Sequence, residues 1–245
     1  MKERPEAGRD YRDEFYAAYS TAIDAVHADE RTAWRQFESR WQQWLPNDRS
    51  VPMLDIGCGS GVFVRFLRSC GFANVTGVDR SVSETTRAHA SGTDGVVCDD
   101  ARSFLGARRD AYGLVAALNI FEHLRKEEVL DLLRVLHGAL RPGGQVLIVT
   151  PNGLSPFGGA TRYWDFSHEL SFTPASWRQL ARISGFREPI FEEYGPIAHS
   201  AAGVVRSALW RIVALAIEAV AWIEVGGPRD PSRVYTADMK VILTK

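Results

Sequence analysis

A glycine-rich stretch at residues 51–61, which reads V-P-M-L-D-I-G-C-G-S-G, constrains the fold of this chain more than any other segment. A short apolar run with β-branched members comes first, and three glycines then interrupt it. Apolar residues resume at helical spacing from Val62 to Leu67. The pattern predicts a strand, a tight turn and a helix. Glycine lets the backbone bend sharply and lets a ligand approach where a Cβ atom would block it.

The spacing of these glycines argues against a dinucleotide site, because the third glycine of that fingerprint falls at position 62, which is Val62. A second predicted strand, residues 74–78, ends at Asp79, which is placed to bind the two hydroxyls of a ribose. The motif D-I-G-C-G-S-G followed by G-V-D-R resembles the S-adenosylmethionine (SAM) site of class I methyltransferases. The resemblance implies SAM as cofactor and a SAM-dependent methyltransferase activity.

The same resemblance assigns cofactor contacts to the ends of successive strands. Arg80 is expected beside the adenine, and an acid after the third strand is expected to take the adenine amino group. The sequence favours Asp100, which Ala101 follows, and Asp99 is a rival one residue away. The expected cofactor-binding residues are Asp55, Gly57, Cys58, Gly59, Gly61, Asp79, Arg80, Asp99, Asp100, Ala101 and Asn119.

Strands and helices alternate regularly, which indicates an α/β fold with a doubly wound, mostly parallel sheet. Further strands are predicted at residues 95–100, 112–119, 145–150, 189–194 and 235–243. The resemblance implies the seven-stranded, Rossmann-like sheet of class I methyltransferases, in which only the last strand is antiparallel. We expect four segments: an N-terminal helical cap at 1–50, a SAM-binding core at 51–195, a helical insertion at 196–230 and the final core strand at 231–245.

The predicted cap consists of two amphipathic helices between residues 10 and 45, where aromatic and aliphatic residues recur three and four apart. Packing against the sheet accounts for these aromatic side chains. The alternative is that one of them covers the cofactor or the acceptor.

Three residues are candidates for proton removal from an acceptor hydroxyl. Methyl transfer is an in-line displacement, so much of its catalysis is alignment of the nucleophile with the methyl group. A hydroxyl nucleophile must also lose its proton, and histidine suits that task because its ordinary pKa is near neutrality. His168 is the first candidate, ahead of His123 and Glu122 in the E-H-L that follows strand four. Structural hydrogen bonds or packing are the alternative roles of both histidines.

No metal site is expected. Asp165, His168 and Glu169 cluster in the sequence, but a loop rich in polar residues often has such a cluster by chance.

The acceptor class is suggested by resemblance alone. The stretches T-P-N-G-L-S-P-F-G-G and R-Y-W-D-F-S-H-E-L-S-F-T-P resemble a bacterial subgroup of these enzymes associated with glycan and surface-polysaccharide biosynthesis. This resemblance implies O-methylation of a sugar or glycan hydroxyl. Two alternatives remain open: a methyltransferase for a lipid-like or aromatic small molecule such as a quinone precursor, and a catalytically silent binding protein of the same fold.

Composition bounds the partners and the compartment. The formal net charge of −1 shows no general attraction to nucleic acid, so none is expected as a partner. Cys58, Cys70 and Cys98 lack metal-like spacing and indicate reduced thiols in a cytoplasmic protein. The first ten residues, M-K-E-R-P-E-A-G-R-D, have no apolar core, so they do not predict a secretory signal.

A long apolar segment, residues 201–225, separates the last two predicted strands. Arg206, Arg211 and Glu218 interrupt it, and each costs about 2.5–3.5 kcal/mol at a bilayer centre, which argues against a membrane span. Its apolar arc is too wide for a helix that touches one neighbour. We expect it to lie over the acceptor entrance and to be covered by the N-terminal helices, by a second subunit in a homodimer, or by the inner face of a membrane.

Overall fold

The structure, a computed structural model, describes Arg12 and residues 30–245 of the 245-residue chain. Its helices are α1 (Glu30–Trp41), α2 (Val62–Ser69), α3 (Val82–Ala90), α4 (Ala101–Gly106), α5 (Lys126–Ala139), α6 (Gly158–Arg162), α7 (Pro174–Ser184) and α8 (Ala201–Val225). Its strands are β1 (Met53–Ile56), β2 (Val75–Asp79), β3 (Val96–Cys98), β4 (Tyr112–Leu118), β5 (Leu140–Pro151), β6 (Ile190–Glu193) and β7 (Asp238–Thr244). Single 3₁₀ turns span Gln42–Trp44 and Phe121–His123.

The seven strands form one sheet in the order β3-β2-β1-β4-β5-β7-β6. The first five strands are mutually parallel, and β7 pairs antiparallel with both β5 and β6. This confirms the predicted doubly wound sheet. The strand order reverses between β1 and β4, and in open α/β sheets ligands bind beyond the carboxyl ends of the strands at such a switch point.

Two apolar layers cover the sheet. Helices α5 and α7 bury Leu132, Leu136 and Trp177 against one face. Helix α2 buries Phe63 and Phe66 against the other face. Because β4 lies between both layers, five of its seven residues are buried, as expected for a central parallel strand.

Two strand starts differ from prediction by three or more residues. Strand β5 begins at Leu140 rather than Gln145, because residues of the 140–144 stretch pair with distant backbone. Leu140 pairs with Tyr112 across a register shift, and Gly143 and Gly144 exchange hydrogen bonds with Lys245 at the chain end.

Strand β7 begins at Asp238 rather than at residue 235. The side-chain amide of Asn152 donates to the carbonyls of Val234 and Thr236, so these carbonyls bond to a side chain instead of a neighbouring strand. Strands β3 and β6 are shorter than predicted by one or two residues at each end.

Of the two predicted N-terminal helices, the second is confirmed as α1, and the first lies outside the described residues apart from Arg12. Helix α8 spans the segment predicted for it. The Ser200 hydroxyl caps its start by accepting from the Gly203 amide, and Gly226 ends it at a φ of 76°. Within the described part of the chain, no helix is both long and apolar enough to cross a membrane. The division into four segments stays a prediction.

Candidate functional site

A cavity of about 440 Å³ lies at the carboxyl ends of β1, β2 and β4. It is the site that the switch point of the sheet predicts. The predicted cofactor residues that line it are Asp55, Gly57, Cys58, Gly59, Asp79, Arg80, Asp99, Asp100, Ala101 and Asn119. His123 lines it too, whereas Gly61, Glu122 and His168 lie outside the lining.

The glycine loop between β1 and α2 forms a cradle that side chains would fill. Gly57 has a φ of 65°, and a Cβ atom there would lie 1.9 Å from Cδ1 of Ile120. The amides of Gly57 and Cys58 both donate to the carbonyl of Val78, which fixes the loop against β2. Glycine is therefore required at position 57 for its conformation and for its lack of a side chain.

Gly61 serves the turn rather than the ligand. It precedes the first residue of α2 at a φ of 78°, and a Cβ atom there would lie 2.8 Å from Cγ2 of Thr93. Gly61 is predicted to contact the cofactor, but it is not among the residues that line the cavity. Its conformation shapes the loop whose other residues do line it.

Asp79 ties the glycine loop to the end of β2. Its Oδ2 accepts from the Gly59 amide at 2.8 Å, and its Oδ1 accepts from the Ser81 amide at 2.8 Å. Burial raises the pKa of Asp79. Burial and the adjacent Asp79 carboxylate raise the pKa of Asp55 well above its usual value. A positively charged ligand group favours the ionised form of both carboxylates, and the amino and sulfonium groups of SAM carry that charge.

The acids after β3 both reach the cavity. Asp100 caps α4, because its Oδ1 accepts from the amides of Arg102 and Ser103. Asp99 accepts from the amide of Asp100 at 2.8 Å. The choice between Asp99 and Asp100 as the adenine partner therefore stays a prediction.

Several lining residues were not predicted individually. Phe37 of α1 lines the cavity, which agrees with the alternative that an N-terminal aromatic residue covers the ligand. Arg12 also lines it and donates to Glu128 from both terminal nitrogens, at 2.6 and 3.1 Å. Tyr194 and Glu84 are further members of this group. Tyr194 follows a four-residue strand, and no local pattern marks it.

The three candidate bases form one buried group beside the cavity. Glu122 and His123 lie in the 3₁₀ turn after β4, and the rings of His123 and His168 have centroids 4.7 Å apart at 75°. One potential ligand atom from each of the three residues lies within 4.8 Å of the others. The amides of Glu169 and Leu170 donate to the Glu122 carbonyl, which holds the His168 loop against the turn.

Hydrogen bonds indicate which nitrogen of each imidazole carries the proton. Nδ1 of His168 lies 3.0 Å from the carbonyl oxygen of Thr161, so this nitrogen donates and carries the proton. Nδ1 of His123 lies 2.9 Å from the Ser167 hydroxyl, and that hydroxyl donates to Asp165. Nδ1 of His123 is therefore the donor in its pair. In both rings Nε2 carries the lone pair.

Burial sets the charge of the group. It raises the pKa of Glu122 to about 8. Burial and the neighbouring His168 lower the pKa of His123 to about 4, and burial also lowers the pKa of His168. Near neutral pH all three side chains are therefore mainly uncharged. Asp165, which the sequence grouped with His168 and Glu169, instead accepts hydrogen bonds from Ser167.

Comparison with known proteins identifies a family for this chain. A family model described as a methyltransferase domain matches residues 27–188. The tRNA U34 carboxymethyltransferase of Cellvibrio japonicus is 30% identical over 52% of this chain and 41% of its own length. The ubiquinone biosynthesis O-methyltransferase of Pseudomonas aeruginosa is 30% identical over 41% of this chain and 44% of its own length. The chain thus spans less than half the length of these relatives.

Solved structures show the same fold. A SAM-dependent methyltransferase from Archaeoglobus fulgidus superposes with a TM-score of 0.70 at 20% identity, over 93% of this chain and 99% of that one. A second SAM-dependent methyltransferase, from Mesorhizobium loti, gives a TM-score of 0.62 at 20% identity, over 86% and 98% of the two chains.

Proposed function

We propose that this chain methylates a hydroxyl oxygen of an acceptor. The premise is that the chain belongs to the methyltransferase-domain family, whose cofactor is SAM. The cofactor supplies an electrophilic methyl group. The glycine cradle and the acidic pair Asp55 and Asp79 fit its methionine and ribose portions. The observation that supports oxygen as the acceptor atom is the group of proton-accepting side chains beside the cavity, which His123 joins to the cavity lining.

Proton removal is assigned to His168, as the sequence favoured. Its Nδ1 donates to the Thr161 carbonyl, which leaves the lone pair of Nε2 to accept the acceptor's hydroxyl proton. His168 is also less buried than either His123 or Glu122. His123 and Glu122 remain the second and third candidates, because each lies in the same group.

A sugar or glycan hydroxyl is the proposed acceptor. The loop that carries His168 also exposes Tyr163, Trp164 and Phe166, with 80%, 58% and 78% of each residue accessible. Exposed aromatic clusters beside a site mark binding surfaces, and flat rings suit the apolar faces of sugar rings. These exposed aromatic side chains support a sugar acceptor independently of the resemblance to glycan-associated enzymes.

A quinone precursor or another aromatic or lipid-like molecule is the second candidate acceptor. The observation that favours it is the similarity to the Pseudomonas aeruginosa ubiquinone biosynthesis O-methyltransferase. A catalytically silent binding protein is the third alternative, and cofactor binding without turnover is its signature.

Helix α8 is proposed to contact a membrane surface, and a homodimer and cover by the N-terminal helices are the alternatives. Within this fully described helix the buried residues are Gly203 and Ala221. Large apolar side chains such as Leu209, Ile212 and Ile223 are exposed. The described lining residues of the cavity include none from α8. The position of this helix over the acceptor entrance stays a prediction. A lipid-linked acceptor would unite this surface with the proposed chemistry at the inner face of the membrane.

The test is product mass spectrometry. The purified chain is incubated with methyl-deuterated SAM and extracts of the source organism's cell envelope, and with a panel of catechol and quinone precursors. A deuterated methyl ether on a sugar supports the glycan proposal, and one on a phenol supports the second candidate. The variant His168→Ala serves as the matched control and should lack the product.

A further inference from the structure

A buried carboxylate oxygen lacks a partner in the candidate site. Glu122 is 1% exposed, and its Oε2 has no hydrogen bond to any residue that the structure describes. Buried polar atoms of native proteins are almost always hydrogen-bonded, because an unsatisfied one forfeits its hydration. This oxygen therefore points to a group that the described part of the chain does not supply.

Both neighbouring imidazoles present a lone pair rather than a proton. The Thr161 carbonyl holds the proton of His168 on Nδ1, and the Ser167–Asp165 pair holds the proton of His123 on Nδ1. The remaining nitrogen of each ring is an acceptor. One potential ligand atom from each of Glu122, His123 and His168 lies within 4.8 Å of the others, which is close enough for a single cation to contact all three residues.

We propose that Glu122, His123 and His168 bind a divalent transition-metal cation. Two imidazoles and one carboxylate are the ligand set of the facial-triad class, which leaves coordination positions open. Metal-binding histidines generally donate their other ring N–H to a carbonyl, carboxylate or water, which fixes the ring and its tautomer. Thr161 supplies the carbonyl here, and Ser167 with Asp165 supplies the equivalent support for His123.

The cation site narrows the acceptor class, and this step rests on the proposed function. An acceptor hydroxyl bound at an open position acquires a lower pKa, so its proton can leave to solvent without a protein base. An acceptor with a second oxygen on the adjacent carbon, as in a sugar diol or a catechol, can occupy two open positions. In this arrangement His168 is a metal ligand instead of the base.

Cobalt binding to the full-length chain tests the proposal without any turnover assay. The chelator-treated protein is titrated with Co²⁺ alone, and the visible absorption of the bound ion and the heat of binding are recorded. We expect one ion per chain, and at least a tenfold loss of affinity in Glu122→Gln and in His168→Ala. The control His199→Ala removes an exposed histidine outside the group and should bind as the wild type does.

The supporting residues give a second comparison in case a ligand variant fails to fold. Ser167→Ala leaves all three ligands in place and removes the partner of His123, so it should weaken Co²⁺ by roughly 10- to 100-fold. Wild-type protein that binds neither Co²⁺, Zn²⁺ nor Mn²⁺ overturns the proposal and leaves a shared proton in the group. Equal affinity in the wild type, Glu122→Gln and His168→Ala also overturns it.

Cofactor titration separates this proposal from the proposed function. If SAM binds and no metal does, the metal site is refuted while methyl transfer with His168 as base still stands. If a metal binds at the three residues and SAM does not bind, the metal site stands and the methyltransferase proposal fails.

Discussion

Asp79 holds the glycine loop, and it is predicted to bind the ribose of the cofactor. Each of its oxygens accepts one backbone amide, which leaves a further lone pair on each for a ribose hydroxyl. Hydrogen bonds to charged groups are worth about 1.5–3 kcal/mol. Asp79→Ala should therefore weaken SAM binding at least about tenfold by calorimetry. Asp131→Ala, an exposed acid on α5, is the control, and an unchanged affinity in Asp79→Ala would remove Asp79 from the site.

Asp55 predicts a pH dependence of cofactor binding. Its pKa is raised by burial and by Asp79, and the ionised form is the one that attracts a positive ligand. SAM affinity should therefore rise as the pH rises through this raised pKa, and binding in mildly acidic buffer should release a proton. Calorimetry in two buffers of different ionisation enthalpy measures the release, and Asp55→Asn should abolish it. Proton uptake on binding would contradict the assignment.

His168 carries the prediction for turnover. Loss of a positioned base or metal ligand should lower the rate of methyl transfer by roughly 10²–10⁴ in His168→Ala. SAM affinity should stay near that of the wild type, because His168 is outside the cavity lining. If turnover survives in His168→Ala and disappears in His123→Ala, the roles of the two histidines must be exchanged.

At the scale of elements, the strand–turn–helix unit of β1 and α2 depends on the absence of a side chain at Gly57. Gly57→Ala should cost about 1–2 kcal/mol for the left-handed backbone and roughly 1–3 kcal/mol more for the contact with Ile120. Gly71→Ala, with a φ of 90° and open space around it, should cost the backbone contribution alone.

Denaturant unfolding measures both costs, and a double-mutant cycle isolates the contact. Ile120→Ala should be less destabilising in the Gly57→Ala background than in the wild type, because it removes the atom that the new methyl group strikes. Additive effects of the two substitutions would show that the loop relaxes away from Ile120.

The elements that the sequence predicted are those whose patterns are local. Apolar runs at strand or helical spacing act within a few residues, and the structure confirms β4 and α2, which such runs predict. The predicted starts of β5 and β7 were wrong, because contacts with the distant residues Lys245 and Asn152 determine where these strands begin. Periodicity over a short window carries no information about such pairing.

The candidate site also has a part that local sequence patterns predict and a part that tertiary contacts determine. The glycine loop and the acids at the strand ends follow a motif, so their place at the cavity was predictable. The packing of His123 against His168 joins residues 45 positions apart through a loop without periodicity. Their identities were predicted, but their contact, their tautomers and the unpartnered Glu122 oxygen depend on the folded loop. Tyr194 and Arg12 reach the cavity for the same reason of tertiary placement.

At the scale of the whole molecule, α8 exposes a largely apolar surface. Its 25 residues correspond to about 37 Å of helix at 1.5 Å per residue. Described contacts of α8 with the rest of the chain include a hydrogen bond from Trp210 to Glu193 and an ion pair between Glu218 and Arg233. A largely apolar helix with little cover calls for another partner.

The exposed apolar face of α8 should bind lipid. Trp222 and Ile223 are 62% and 87% exposed, so Trp222→Glu and Ile223→Glu place a charge on that face without disturbing a core. Trp210 is unsuitable for this test, because it bonds to Glu193 and packs against Phe157. Wild-type protein should sediment with phosphatidylcholine or phosphatidylglycerol vesicles, and both variants should stay largely in the supernatant. Ile183→Glu, which charges an equally exposed apolar residue on α7, should sediment as the wild type does.

The two outcomes lead to different assemblies. The described polar positions of α8 include few cations, whereas interfacial helices are usually rich in lysine and arginine, so we expect sedimentation that depends little on the anionic lipid. If the wild type stays in solution with both vesicles, the membrane contact is refuted. Sedimentation equilibrium then tests the homodimer, since self-association through this face should weaken in Trp222→Glu and persist in Ile183→Glu.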